Sequence, residues 1–453
     1  MTDDPEALTQ FIFRCRDRGV RVEELLDCLR IVSESPVDRH PRNTRYALFL
    51  ALGEYTLSEI PESRRETLLK QLTEAYRNDP SSGVHGAAGW LLRRWGQAEV
   101  VQQVDQTAVP YSTDREWFTL AITVTPTSPP KPKEEPAEEK SDKDTKTDKS
   151  AEAEGTEKTV VEDAKPESLP PKTFYYTFIV FPAGQSEIGS TSDEPDRQKG
   201  EVRHSVTLTR PFALLDREIT MEELIAFKPN YAGYMQQFDA KPSDAGIAED
   251  WYDSVAYCRW LGEQSGMLEG EQSYASPESL STEDYPREPT PSANWAPRNW
   301  PMRREQPGFR LPTESEWEFA GRASTRTAYG YGSDASLLGR FGWFAENSGK
   351  HVHLPRELRP SVRGLFDMHG NLFEWTHDWY GSYQEGNVVD PMVSEEGTFR
   401  VFRGGGWDFV AAFCRPAYRF TIGPTYRSSF IGFRLALSPS VKSPEAEGNK
   451  EDK

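Results

Sequence analysis

Residues 364–380, GLFDMHGNLFEWTHDWY, crowd carboxylates, glycines and aromatic rings into one short stretch. Asp367 and Glu374 bracket a Gly-Asn turn at Gly370 and Asn371. Carboxylates together with the carbonyls of such a turn are the oxygen donors that a hard cation prefers. The competing reading is a packed aromatic segment whose carboxylates serve neighbouring amides. Phe366, Phe373, Trp375, Trp379 and Tyr380, with glycines free to take unusual backbone angles, suit a buried irregular loop better than a helix or a strand.

The cysteines offer less. Cys15, Cys28, Cys258 and Cys414 are scattered without a CxxC pair. That usage fits reduced thiols in a cytoplasmic protein rather than a disulfide framework.

The elements that must position these groups fall into two units. Residues 5 to about 105 carry apolar positions at helical spacing, among them Leu25, Leu26 and Leu29, then Leu68, Leu69 and Leu72, then Leu91, Leu92 and Trp95. Breaks at Gly19, Ser35-Pro36, Gly53, Ile60-Pro61 and Asp79-Pro80 divide them into short helices. This predicts a small all-α domain of helical hairpins, HEAT-like in style, over residues 1–111. His40 and His85 stand alone in it and carry no catalytic constellation.

The segments WFTLAITV (117–124) and TFYYTFIVF (173–181) have strand composition. Between them, residues 126–172 are mostly Pro, Glu, Lys, Asp, Thr and Ser without an aromatic residue, a composition that cannot bury enough apolar surface to offset its ordering entropy. We read it as a disordered insertion in the turn between two paired strands, with a plain linker between domains as the alternative; the insertion reading starts the second domain near residue 112 and runs it to 437. Residues 438–453 form a polar tail expected to be disordered. Within the second domain, Thr220 with Glu223 and Thr313 with Glu316 are capping boxes that open two short helices.

Composition narrows the partners. The 453 residues hold 53 Lys+Arg against 72 Asp+Glu, a net charge of −19. That balance argues against nucleic acid and against an anionic membrane surface, leaving proteins or small molecules. The first residues, MTDDPEALTQ, lack the basic and apolar regions of a secretory signal. No run approaches the roughly 20 apolar residues a membrane span requires. The sequence leaves the oligomeric state open.

Taken in order, REITMEELIAF, WYDSVAYCRWL, FRLPTESEWEFAGRA, GLFDMHGNLFEWTHDWY, FRVFRGGGWDF and GFRLAL resemble the formylglycine-generating enzyme, or sulfatase-modifying factor, family from about residue 180 to 437. The resemblance implies an α+β fold of C-type-lectin-like type with little regular secondary structure. The helical block before it also resembles the module attached to some bacterial serine/threonine kinases, although no HRD or DFG signature is present.

Function carries over residue by residue. Oxidases of the family hold copper with two cysteines five residues apart, as soft Cu(I) requires. In GGGWDFVAAFC the second position is Cys414, but the first is Phe409 and the family's serine is Gly406, so copper is not expected. The family's calcium loop maps to Asp367, Gly370, Leu372 and Glu374, implying a structural calcium. A second calcium site finds only Asn347. A related branch holds iron with histidines of a helical domain; here only an HxH at His351 and His353, with His369 and His377, could supply a histidine metal site. Arg403, Arg419 and Arg434 are expected to pair with carboxylates such as Glu316, Glu318 or Glu374 rather than bind an anion.

Two readings follow. In one, the domain has lost the copper oxidase site and serves as a ligand- or protein-binding module in bacterial signalling. In the other, it is a formylglycine-generating oxidase that converts a sulfatase cysteine with altered ligands.

Overall fold

The computed structural model describes residues 4–34, 43–126, 170–283, 287–288, 296–384, 386–395 and 397–439. The bulk of the polar insertion, the tail beyond residue 439, His40 and the Ser35-Pro36 break lie outside these residues.

The N-terminal unit is helical, as its periodicity predicts: α1 (Pro5–Arg14), α2 (Val22–Glu34), α3 (Thr44–Leu52), α4 (Glu62–Asn78), α5 (Ser82–Arg94) and α6 (Ala98–Asp105). Asp4 caps α1 by accepting from the Glu6 amide. α3 is buried on every side, which its sequence TRYALFLAL permits because it holds one charge in nine residues. α5 packs against α3 and α4.

The second unit opens with β1 (Trp117–Val124) and β2 (Lys172–Phe181), which flank the polar segment and pair antiparallel from Trp117↔Ile179 to Val124↔Lys172. Then come β3 (Gly184–Ile188), β4 (His204–Leu208), β5 (Phe212–Leu215), α7 (Met221–Phe227), α8 (Tyr231–Gln237) and α9 (Trp251–Gln264). The two-residue strands β6 (Arg287–Glu288) and β7 (Ala296–Pro297) precede α10 (Glu314–Gly321) and β8 (Phe373–Trp379). The chain closes with β9 (Asn387–Val389), β10 (Arg400–Arg403), β11 (Phe420–Ile422), β12 (Ile431–Gly432) and β13 (Ala436–Leu437). Both expected capping boxes form, Thr220 with Glu223 at α7 and Thr313 with Glu316 at α10.

Among the described residues the larger sheets run β1-β2-β5-β13, β11-β10-β8-β12 and β3-β4-β9. Apart from β1 and β2 their strands are short, in an α+β fold of the class the resemblance implies. The stretch at 364–380 departs from the expected loop: its second half is β8, an interior strand flanked by β10 and β12. All seven residues of β8 are buried. A strand covered on both faces loses the in-out alternation by which strands are recognised, so FEWTHDW carries no period of two.

The units meet along one continuous face. Tyr46 donates to the Pro360 carbonyl at 2.9 Å, and Trp117 Nε1 donates to the Asp79 carbonyl at 2.7 Å. His85 of α5 stacks on Trp117 with ring centroids 3.8 Å apart. Glycines set the closeness: a Cβ on Gly83 would overlap the Val362 carbonyl oxygen. Phe366 crosses over to join the helical core.

Candidate functional site

The glycine-rich turn after β10 positions Cys414. Gly404 and Gly405 have φ of +100° and +80°, and a Cβ on Gly405 would collide with the Cys414 sulfur. The thiol is fully buried among Tyr329, Tyr331, Leu338, Phe341 and Phe344. Burial pushes its pKa up to about 12, so at neutral pH it is a thiol and not the thiolate that binds metal or attacks.

Phe409 faces a different cluster. Its ring lies edge-on to Phe373 at 4.9 Å, to Phe430 at 4.8 Å and to Phe413 at 5.7 Å. The two positions that would carry a copper pair therefore hold a phenyl ring in one aromatic cluster and a protonated thiol in another. This donor set does not fit copper. Cys15, Cys28 and Cys258 belong to the end of α1, to α2 and to α9.

The calcium positions share a neighbourhood but not a common shell. Arg434 donates to Glu374 from Nε at 2.7 Å and from Nη2 at 2.6 Å, and Trp317 Nε1 adds a third bond at 2.7 Å. A guanidinium already supplies the positive charge there, so Glu374 does not fit a calcium shell. Leu372 gives its amide to Glu218 at 3.0 Å, and Asn371 Nδ2 donates to the same carboxylate at 2.8 Å. Gly370, at φ +139°, is pressed against Trp343 so closely that a Cβ would overlap its carbonyl.

Asp367 is the member left over. It is 2% exposed and sits at φ +57°. Its Oδ2 accepts from the Arg356 amide at 2.9 Å, whereas Oδ1 finds no hydrogen-bond partner among the described residues. Burial is the main cause that raises its pKa to about 7, and the charges of Glu357 and Glu374 add to it. Glu218 is raised by burial and next by Asp367 itself. Glu218 escaped the sequence reading because nothing in REIT marks it. Its role arises from contact with a loop 153 residues away.

The histidines do not converge. His351 and His353 lie with ring centroids 4.1 Å apart, and His353 stacks on Trp343 at 3.7 Å. His369 instead pairs with the Cys414 carbonyl at 3.1 Å, and His377 with Tyr274 at 3.2 Å. Among the described residues no group of three His, Cys, Asp or Glu side chains is placed to hold a metal. Asn347 uses its oxygen on the Phe344 amide at 2.8 Å and its nitrogen on the Gly342 carbonyl at 3.1 Å.

The arginines pair with carboxylates, as expected, with Glu314 added to the set. Arg403 lies between Glu314 and Glu318, Arg419 grips Glu314 at 2.6 and 2.7 Å, and Arg310 grips Glu316 at 2.6 and 2.9 Å. Burial works to raise Glu314 and Glu318, but these arginines outweigh it and hold both below the ordinary carboxylate range. Arg415 is spent on Glu194 and Glu201.

A cavity of about 270 Å³ lies between the two units. Thr9 and Tyr46 line it from the helices; Tyr331, Arg359, Asp367 and His369 line it from the second unit.

Residues 165–439 match the family described as the sulfatase-modifying factor enzyme 1-like domain. The chain is 34% identical over 156 residues to a formylglycine-generating enzyme of Streptomyces coelicolor, covering 31% of this chain and 50% of that one. It is 36% identical over 136 residues to the serine/threonine-protein kinase pkn1 of Chlamydia pneumoniae, 28% of this chain and 21% of that one. The alignments thus span half of the first relative and about a fifth of the second. Among solved structures, Treponema denticola variable protein 1 is 25% identical with a TM-score of 0.48, covering 58% of this chain and 96% of that one.

Proposed function

The chain belongs to the sulfatase-modifying factor enzyme 1-like domain family, and we propose that within it this protein is a binding module for a ligand or protein, without copper oxidase chemistry. The observation that carries the reading is the Phe409/Cys414 pair. A phenyl ring offers copper no σ-donor, and a thiol held at about 12 gives up its proton to a metal only at high cost. The arginines that could have held an anionic substrate are each paired with a buried carboxylate, which supports a scaffold role for the charge network. The similarity to a stretch of a bacterial kinase supports a place in a signalling assembly, and the net charge of −19 supports proteins rather than nucleic acid or an anionic membrane as macromolecular partners. Among the described residues no helix is long and apolar enough to cross a membrane.

Anaerobic Cu(I) titration, coupled to an assay for formylglycine on a cysteine-containing peptide, tests this reading. The expected result is no stoichiometric tight copper and no aldehyde. Tight copper with aldehyde product, both abolished by Cys414→Ala, would instead establish an oxidase with altered ligands.

A further inference from the structure

The sheet β1-β2-β5-β13 ends at β1, and part of that edge is uncovered. Thr119 exchanges both of its backbone hydrogen bonds with Val109, each at 2.9 Å, so its N–H and C=O point away from β2. In an antiparallel ladder every second residue points the same way, which turns the backbone groups of Ala121 and Thr123 outward as well. The contact with Val109 is an isolated bridge, and further along the Gln264 side chain takes the Thr125 amide at 3.2 Å. Between these two closures Ala121 and Thr123 are exposed, and no group among the described residues meets their outward N–H and C=O. The sequence of β1, WFTLAITV, carries none of the charges, prolines or bulges that ordinarily protect an exposed edge. Beside this edge lies an apolar groove of about 360 Å³, lined by Tyr111, Leu120, Ile122, Met267, Phe309 and Leu437. Glu271 is the one charged residue lining it; its Oε2 accepts from the Leu268 amide at 2.8 Å, and no cation among the described residues pairs with it.

We propose that this edge binds an extended segment of a partner protein, apolar at alternate positions and carrying a lysine or arginine that reaches Glu271. The backbone of the segment supplies the hydrogen bonds that Ala121 and Thr123 lack. Leu120 and Ile122 lie on one face of β1, so a strand added beside them sends every second side chain into the groove. Glu271 and the net charge of −19 both favour a basic segment over an acidic one. This names the kind of partner for the binding-module reading and rests on that reading.

The test uses the full chain and short acetylated peptides in which Leu, Ile, Val or Phe alternates with Thr and a Lys ends the run. Binding is followed by fluorescence anisotropy and by amide hydrogen exchange at Ala121 and Thr123. At least one peptide should bind saturably, and N-methylation of its amides that face β1 should weaken it about threefold or more. Ala121→Pro removes an outward N–H without breaking a bond to β2 and should weaken binding to a similar degree. Glu271→Lys, which leaves the strand untouched, should weaken the lysine peptide and spare the same peptide with Ala in place of Lys. In the free chain both edge amides should exchange fast, and the peptide should slow them. Amides that are slow in the free chain at every concentration would assign the edge to the chain's own residues, and amides slowed only as protein concentration rises would assign it to a second copy. Either result overturns the proposal, as does no binding by any peptide, or binding that N-methylation and both variants leave unchanged. Failure here with no copper and no aldehyde leaves a binding module for another ligand standing. Tight copper with aldehyde overturns that module reading whatever the edge binds.

Discussion

Arg434 and Glu374, 60 residues apart in sequence, form a fully buried bidentate pair at 2.6 and 2.7 Å, and Arg434 Nη2 also donates to the Phe366 carbonyl at 3.0 Å. One guanidinium thereby ties β8 and the loop before it to the segment between β12 and β13. The carboxylate at the heart of the 364–380 stretch is a structural anchor.

Removing one partner of such a pair strands the other charge in the interior. Arg434→Met should cost about 3–5 kcal/mol, read as a lower urea midpoint at unchanged slope. A loss under about 1 kcal/mol would mean that the pair contributes little.

The same pairing bears on calcium. With Glu374 held by Arg434, the melting temperature should be equal in excess chelator and in millimolar calcium. A calcium-dependent rise that Asp367→Ala removes would show that a cation binds here after all.

Gly405→Ala should destabilise the fold by about 2 kcal/mol or more, since its φ of +80° and the adjoining Cys414 sulfur both exclude a side chain. Gly423→Ala, with open space around it, is the control and should stay within about 0.5 kcal/mol. Equal effects of the two changes in chemical denaturation would refute this account of the turn.

Gly83→Ala places a methyl group against the Val362 carbonyl and should loosen the contact between the helical unit and the 360–364 loop. Limited proteolysis should then cut between the units faster than in the parent, and unfolding should broaden or split. An unchanged digestion pattern would show that the interface tolerates the shift.

His85 sets a pH dependence. Burial between Tyr76 and Trp117 lowers its pKa from 6.5 to about 3. Between those values the unfolded chain binds a proton that the folded chain does not, so this group's contribution to stability falls as pH drops through that window. The slope approaches about 1.4 kcal/mol per pH unit. The difference in stability between the parent and His85→Phe should shrink toward acid pH by that amount. A difference constant from pH 7 to 4 would refute it.

Features whose partners lie within a few residues were legible in the sequence. The capping boxes at Thr220 and Thr313, the helices of the first unit and the strands flanking the polar segment depend on local spacing and composition. Residue types at 409 and 414 were equally plain, and they alone remove one thiolate from a copper pair.

The sequence by itself therefore determined which chemistry the glycine-rich turn lacks and which arginines seek carboxylates. Tertiary structure decided which carboxylate each one finds. Arg434 takes Glu374, Glu218 takes the Asn371 and Leu372 donors, and Asp367 takes the Arg356 amide. Two carboxylates seven residues apart look alike in sequence. Only packing, by placing a guanidinium on one and a backbone amide on the other, made the first a charged structural anchor and left the second with a pKa that burial raises to about 7.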